Sequence, residues 1–297
     1  MKDQYVGDIG DYGKYSLLDA FAKSGIRVGV NWYLTPDDGS SDGKFTGYLE
    51  KEMLRRYNPS LFDELKRIAQ KKDKSVQDIQ NNMIVYNAIY YDVPLAFSGT
   101  PEERVRNRNT WFQESLDRLK DAELIYMDPD NGLLESDDAR KLGADKYVLA
   151  EEVEQYFNAG HNVVYYCHKG RRSYEAWEDY KSYMLKRVPA AKPAVLTFHK
   201  GTQRSYIFLI HEESFKGYRK IIDGFLRRWV RLFSEEYTKY GDIAAEPEGS
   251  KLVLERSNGS VITIQKRIDG RIGMTDSRHP ECMHVVEVDD FCRNNGF

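Results

Sequence analysis

An apolar run that ends in an acid, a proline and a glycine turn constrains this chain more than any other stretch. It reads Leu124-Ile125-Tyr126-Met127-Asp128-Pro129-Asp130-Asn131-Gly132. A run of this kind suits a parallel strand buried on both faces, and it delivers its carboxylate to the C-terminal rim of the sheet, where α/β folds place their ligands. Asp130, Asn131 and Gly132 are ordinary turn residues. A turn alone, however, does not call for Asp128 directly after residues built to be buried. A carboxylate so placed can accept a proton, accept a hydrogen bond from an amine, hold a metal or attack phosphorus.

The 297 residues suffice for one large domain with an appendage or for two modest ones. The net charge of −3 excludes a polycation that coats any nucleic acid, while leaving local basic faces open. The longest apolar runs are strand-sized, so no membrane span is expected. The polar start, without a signal peptide, points to a cytoplasmic location. Cys167, Cys282 and Cys292 show no paired spacing, and His279 and His284 flank Cys282 without a fourth nearby ligand, so no metal site is expected. The 21 tyrosines fill sheet surfaces more often than they stack on bases.

Periodicity predicts helices over 14–22, 101–119, 150–158, 173–186 and 216–240. It predicts strands over 27–34, 88–91, 123–127, 162–167, 194–198 and 205–211, the last two joined by a hairpin at 200–204. Residues 45–87 read as a charged helical insertion. This order predicts an α/β fold with a Rossmann-like, mainly parallel sheet closed by an antiparallel hairpin. The α/β domain is expected over 1–243. A linker at 244–249 leads to a small β appendage over 250–297, with strands at 251–255, 260–266 and 284–288 and a turn at 257–259.

Three further clusters carry candidate chemistry. Gly7-Asp8-Ile9-Gly10-Asp11-Tyr12-Gly13-Lys14 packs three glycines and two acids ahead of the predicted helix, where free N–H groups attract anions. It is not a Walker A loop, because Asp8 stands where the first glycine is required and Tyr15 where the Ser or Thr is. Asp37, Asp38 and Asp42 follow the first strand, where a carboxylate suits a ribose, although acids are also ordinary loop residues. The basic loops His168-Lys169-Gly170-Arg171-Arg172 and Lys200-Gly201-Thr202-Gln203-Arg204 both fall at the same predicted edge, which suits phosphate contact.

In this order the pieces resemble the S-adenosylmethionine-dependent methyltransferase fold, and within it the RlmJ-type adenine-N6 methyltransferases of large-subunit rRNA. That family opens with a tail patterned Gly-Asn-x-Ala-Asp-x-x-Lys-His, which this chain matches at Gly7, Asp11 and Lys14. A helix, a strand with a cofactor loop, a helical insertion and a strand ending in Asp-Pro-Pro-Tyr follow, each with a counterpart over residues 5–222. The chain has Thr35-Pro36-Asp37-Asp38-Gly39 at the cofactor loop, and Asp130-Asn131 in place of the second proline and the aromatic.

The resemblance implies a methyltransferase acting on a nucleic-acid base. Asp128, Pro129, Asp130 and Asn131 would be catalytic. Gly7, Asp8, Gly10, Asp11, Lys14, Asp37 and Asp38 would lie at S-adenosylmethionine, and Lys169, Arg171, Arg172, Lys200 and Arg204 would hold nucleic-acid phosphates. A second reading is a metal-dependent phosphoester hydrolase, in which Asp128 attacks, Asp130 is the acid/base, and Thr197, Lys200, Asp289 and Asp290 complete the set. A third is a non-catalytic relative that binds nucleic acid or a protein through the same edge.

Overall fold

The chain was analysed as a computed structural model, which describes residues 1–39, 43, 45–95, 98–236, 251–255, 261–266 and 272–286. The expected linker at 244–249, the turn at 257–259, and Asp42, Asp289, Asp290 and Cys292 lie outside the described residues.

Helix α1 (Ile9–Lys23) begins five residues earlier than its periodicity predicts. Asp8 caps it by accepting from the Gly10 N–H, and Asp11 sits in the first turn, where the helix dipole favours an acid. The glycine-rich segment is therefore the start of a helix rather than a loop ahead of one. Its glycines answer to space as well as to backbone shape. Gly7 adopts φ +84°, which an L-residue resists. A Cβ at Gly13 would press on the Phe198 ring at 2.9 Å.

Strand β1 (Val28–Asn31) is shorter than predicted, because Tyr33 turns the chain with φ +45°. The insertion that follows holds three short helices, α2 (Glu52–Arg55), α3 (Pro59–Ala69) and α4 (Val76–Asn81). Then come β2 (Ile89–Tyr91), α5 (Pro101–Leu119) and β3 (Leu124–Met127). A two-strand parallel pair, β4 (Leu133–Leu134) and β5 (Val148–Leu149), leads into α6 (Ala150–Asn158) and β6 (Asn162–Cys167). After α7 (Tyr174–Arg187) run β7 (Lys192–Phe198), β8 (Arg204–Ile210) and α8 (Glu212–Trp229).

The helix predicted over 216–240 stops at Trp229. Leu232 and Phe233 are buried as expected, but Phe233 opens a strand, β9 (Phe233–Glu236). Helical spacing ran on by coincidence into a segment whose backbone pairs with the sheet edge.

The sheet order is β2-β1-β3-β6-β8-β7-β9. The first four strands are parallel, β8 is antiparallel to β6, and β7 forms the outer arm of the hairpin with β8. The chain is thus α/β with a mostly parallel central sheet. One face of the sheet, with Leu124, Tyr126, Val164, Leu196, Tyr206 and Phe208, shares a core with α1, α3 and α8. Among the described residues no helix is long and apolar enough to cross a membrane.

The chain divides into two compact units, residues 1–171 with 184–235, and residues 172–183 with 236–297. The second contains a four-stranded antiparallel sheet in sequence order. Its strands are β10 (Lys251–Glu255), β11 (Val261–Lys266), β12 (Ile272–Asp276) and β13 (His279–Val286). Strand β12 has no counterpart in the sequence reading, and β13 starts five residues before the strand predicted over 284–288.

One buried ion pair ties α5 to α6. Arg108 meets both carboxylate oxygens of Glu152 at 2.7 and 2.9 Å, and Tyr33 donates its phenol to the same carboxylate at 2.9 Å. All three residues are buried. Glu152→Ala leaves the guanidinium without its counter-charge, and the expected cost is about 3–5 kcal/mol, read as a lower urea midpoint. A loss under about 1 kcal/mol would mean that water reaches Arg108.

Candidate functional site

The register of the sheet assembles the site. Asn31 pairs with Met127 and Met127 with Tyr165, so β1 and β3 end level and β6 runs two residues beyond them. Tyr166 pairs with Tyr206, and Cys167 with Ser205, so β8 begins where β6 finishes. Asp128, His168 and Arg204 therefore share one rim, as the sequence predicts. They line a cleft of about 390 Å³, together with Lys2, Tyr5, Asp8, Gly10, Asp11, Lys14, Asp38, Phe45, Pro129, Asp130, Asn131, Lys146, Tyr166 and Tyr206.

Lys14 is the centre of the charge arrangement. Its Nζ lies 2.8 Å from Asp11 Oδ1 and 2.8 Å from Asp128 Oδ2, and all three side chains are buried. The second Asp128 oxygen accepts the Tyr126 phenol at 2.8 Å, and the second Asp11 oxygen accepts the Gly7 N–H at 2.9 Å. Burial alone would push the Lys14 ammonium down. The two carboxylates outweigh that and hold it above the ordinary lysine value. Asp8 caps α1 and also accepts from Arg204 at 2.9 Å, so the helix start and the hairpin turn are joined. A Cβ at Gly10 would collide with that guanidinium. Lys2 pairs with Asp38 at 2.5 Å and lies 3.5 Å from Asp130, whose other oxygen is 2.9 Å from the Met1 nitrogen.

Not all the expected site residues come together here. Gly7 and Asp37 do not line the cleft. Gly7 shapes the helix entry, and Asp37 is exposed, accepting the Gln4 N–H at 3.0 Å. Of the five expected phosphate-binding cations only Arg204 lines it. Lys169 and Arg171 lie outside it, Lys200 faces a separate groove, and Arg172 lies over the Tyr180 ring at 4.2 Å within the second unit.

The residues missed follow a rule. Tyr126, Tyr166 and Tyr206 each stand two positions along a strand from Asp128, His168 and Arg204, and alternate strand residues share a face. Reading backward from Asp128 and His168, and forward from Arg204, would have found them. Lys2, Tyr5, Phe45 and Lys146 arrive from distant loops and left no such trace.

The structure bears on two of the chemistries read from the sequence. S-adenosylmethionine requires a backbone cradle after the first strand. Here Trp32 and Tyr33 are wholly buried at that position, with Leu34 and Thr35 nearly so. The Met1 nitrogen donates to the Tyr33 and Asp128 carbonyls at 3.1 and 3.0 Å, and the Thr35 N–H returns a bond to the Met1 carbonyl at 2.9 Å. In the expected cofactor loop itself, Pro36, Asp37, Asp38 and Gly39 are exposed, and Asp38 lines the cleft, where Lys2 pairs with it. The hydrolase reading asks for free acids, yet Asp128 is engaged by Lys14 and Asp130 by Lys2. Thr197 is buried inside the hairpin, where its hydroxyl shares a 2.8 Å hydrogen bond with Ser205. Among the described residues no group of three or more His, Cys, Asp or Glu side chains is placed to share a metal ion.

What the cleft does offer is a fixed, charge-paired floor, aromatic walls and, beneath them, a hydroxyl without a partner. Tyr166 and Tyr206 stand with ring centroids 6.3 Å apart. The Tyr206 hydroxyl is buried and has no hydrogen-bond partner, and burial holds the phenol well above its ordinary value, against the pull of Arg204. It is therefore a neutral, buried O–H without a partner. Comparison of the chain with protein-family models and with curated proteins finds no match.

Lys14→Ala strands two buried acids and is expected to cost about 3–5 kcal/mol in urea unfolding. Adding Asp128→Asn should recover part of that, because contacting residues couple by about 0.5–3 kcal/mol. Simple additivity would show that Lys14 and Asp128 do not depend on each other. Because the folded value of Lys14 is raised, its contribution is complete below the ordinary lysine value of 10.5 and is lost only at more alkaline pH. Lys14 should therefore give no inflection in wild-type stability between about pH 6 and pH 9.

Proposed function

We propose that the cleft receives one nucleotide of a nucleic acid, and that the protein is a nucleic-acid-binding relative of the methyltransferase-type fold rather than an S-adenosylmethionine-dependent enzyme. The observation that carries this reading is the composition of that single cleft. Aromatic faces at Tyr166 and Phe45 suit a base, because stacking is tolerant of base identity. The half-buried Asn131 amide supplies an acceptor and a donor for a base edge, beside the Tyr206 hydroxyl. Lys146 and His168 supply cationic or polar groups at the rim for a phosphate.

The methyltransferase-type kinship is supported by two features. The Gly7–Lys14 segment lies against the Asp-Pro strand end, as the resemblance implies, and the parallel sheet closes with an antiparallel hairpin. Transfer chemistry receives less support, since of the expected cofactor loop over 35–39 only Asp38 lines the cleft, and Lys2 pairs with it.

The test is fluorescence anisotropy with labelled single-stranded DNA and RNA twelve-mers, alongside calorimetry with S-adenosylmethionine. Wild-type protein should bind at least one oligonucleotide, with affinity falling steeply as salt rises. Tyr206→Phe should leave the melting temperature unchanged and weaken binding about three- to tenfold, the worth of one hydrogen bond. No heat is expected with S-adenosylmethionine. Micromolar binding of that cofactor would overturn the reading and restore methyl transfer.

A further inference from the structure

A second concavity of about 360 Å³ lies on the first unit, away from the Asp128 cleft, and is lined by Met53, Leu54, Arg56, Tyr57, Lys200, Arg228, Arg231 and Leu232. Four of these are cations and none is an acid. Arg56, Lys200, Arg228 and Arg231 are all exposed, and among the described residues none of the four has an ion-pair partner. Basic residues at the end of α8 have an ordinary explanation, since they complement the helix dipole. That explanation covers Arg228 alone within the helix. It does not account for Arg56, which comes from the end of α2, or for Lys200, which comes from the β7–β8 turn. Like charges brought together by three elements repel one another, and a bound anion relieves that repulsion.

The walls of the groove are fixed in place. The His199 N–H donates to the Leu232 carbonyl at 2.9 Å, tying the hairpin turn to the segment after α8. Tyr12 donates to the Leu54 carbonyl at 2.8 Å and accepts from the Asn58 N–H at 3.0 Å, tying α1 to the α2–α3 wall. Tyr57 presents an aromatic face, held against Trp229 at 5.0 Å between centroids.

We propose that this groove binds the phosphate backbone of single-stranded nucleic acid, on the same strand whose nucleotide enters the Asp128 cleft. The inference rests on the nucleic-acid reading of that cleft. The β7–β8 turn links the two places: Lys200 lines the groove, while Thr202 and Arg204 line the cleft. A strand leaving the cleft along this turn meets Lys200 first and then the arginines. The cations would track its phosphates, and Tyr57 would offer a face for a base to stack on.

The experiment compares wild type, Arg228→Gln/Arg231→Gln, Lys200→Gln and Tyr206→Phe on a labelled twelve-mer across a salt series, each checked first for an unchanged melt. The double arginine variant should bind roughly 20-fold more weakly at about 0.1 M salt, and its log–log salt slope should fall by about 1.4, near 0.7 per lost phosphate contact. Lys200→Gln should lower the slope by about half as much. Wild-type binding with slopes unchanged in both groove variants would overturn the groove and leave the cleft standing. Weakening in the groove variants, with Tyr206→Phe matching wild type, would overturn the cleft reading and show that the groove binds by itself. No binding of any oligonucleotide would overturn both. A parallel arm uses vesicles containing phosphatidylserine. Vesicle binding that the arginine variant abolishes, with oligonucleotide binding unaffected, would assign the groove to a membrane surface and overturn the proposal.

Discussion

The buried Lys14 ammonium between Asp11 and Asp128 is the interaction on which the arrangement of this rim depends. Three ionisable groups withdrawn from water cost several kcal/mol each unless they satisfy one another, so their geometry has little freedom. Lys14 reaches both acids only when α1 lies across the C-terminal end of β3. That placement carries further consequences. It sets Asp8 at the helix start, Asp8 holds Arg204, and Arg204 holds the β7–β8 turn over the rim. The same cation thus orders a helix, a strand end and a hairpin separated by almost two hundred residues of sequence. The glycines of the opening segment serve this packing: a side chain at Gly10 would occupy the space that the Arg204 guanidinium needs.

Much of the architecture was legible because it rests on local signals. Pro101–Leu119 matches its predicted bounds, since Thr100 and Glu103 form a capping box and Pro101 takes the first turn. The Asp128 strand end was legible for a different reason, in that a carboxylate after buried residues has few structural explanations. The misreadings come from non-local causes. Three glycines lower the helix propensity of the opening segment, and tertiary packing overrides that preference. Leu232 and Phe233 continue the helical spacing of α8, yet the sheet edge captures the backbone as a strand. The pairing of Asp128 with Lys14 was not legible, because a sequence lists charges without saying which of them pair.

The residues directly after β1 serve the core, while the loop beyond them is exposed. A rim that accepts a cofactor must keep its backbone open to close approach. Here Tyr33 turns the chain, buries its ring and sends its hydroxyl to Glu152, the carboxylate that also balances Arg108. Trp32 packs between Tyr15 and Tyr90, with Lys14 over its face at 5.4 Å. Trp32 and Tyr33 belong to the core, and their side chains also hold α5, α6 and the Lys14 cluster. Moving them would break the Tyr33–Glu152 bond and disturb the packing around Lys14 at once.

The division of charge around the rim follows from this. In the cleft, cations face acids at close range, so the floor has little net field. In the groove, four cations face none, so its field reaches farther and falls with salt. A chain of net charge −3 can therefore attract a polyanion, because attraction depends on where unbalanced charge sits rather than on the sum. In the proposed complex the two surfaces would divide the work of recognition, the groove drawing a strand in and the cleft testing one unit of it. The β7–β8 turn, fixed by Asp8 at one end and by the Leu232 carbonyl at the other, sets the distance between them.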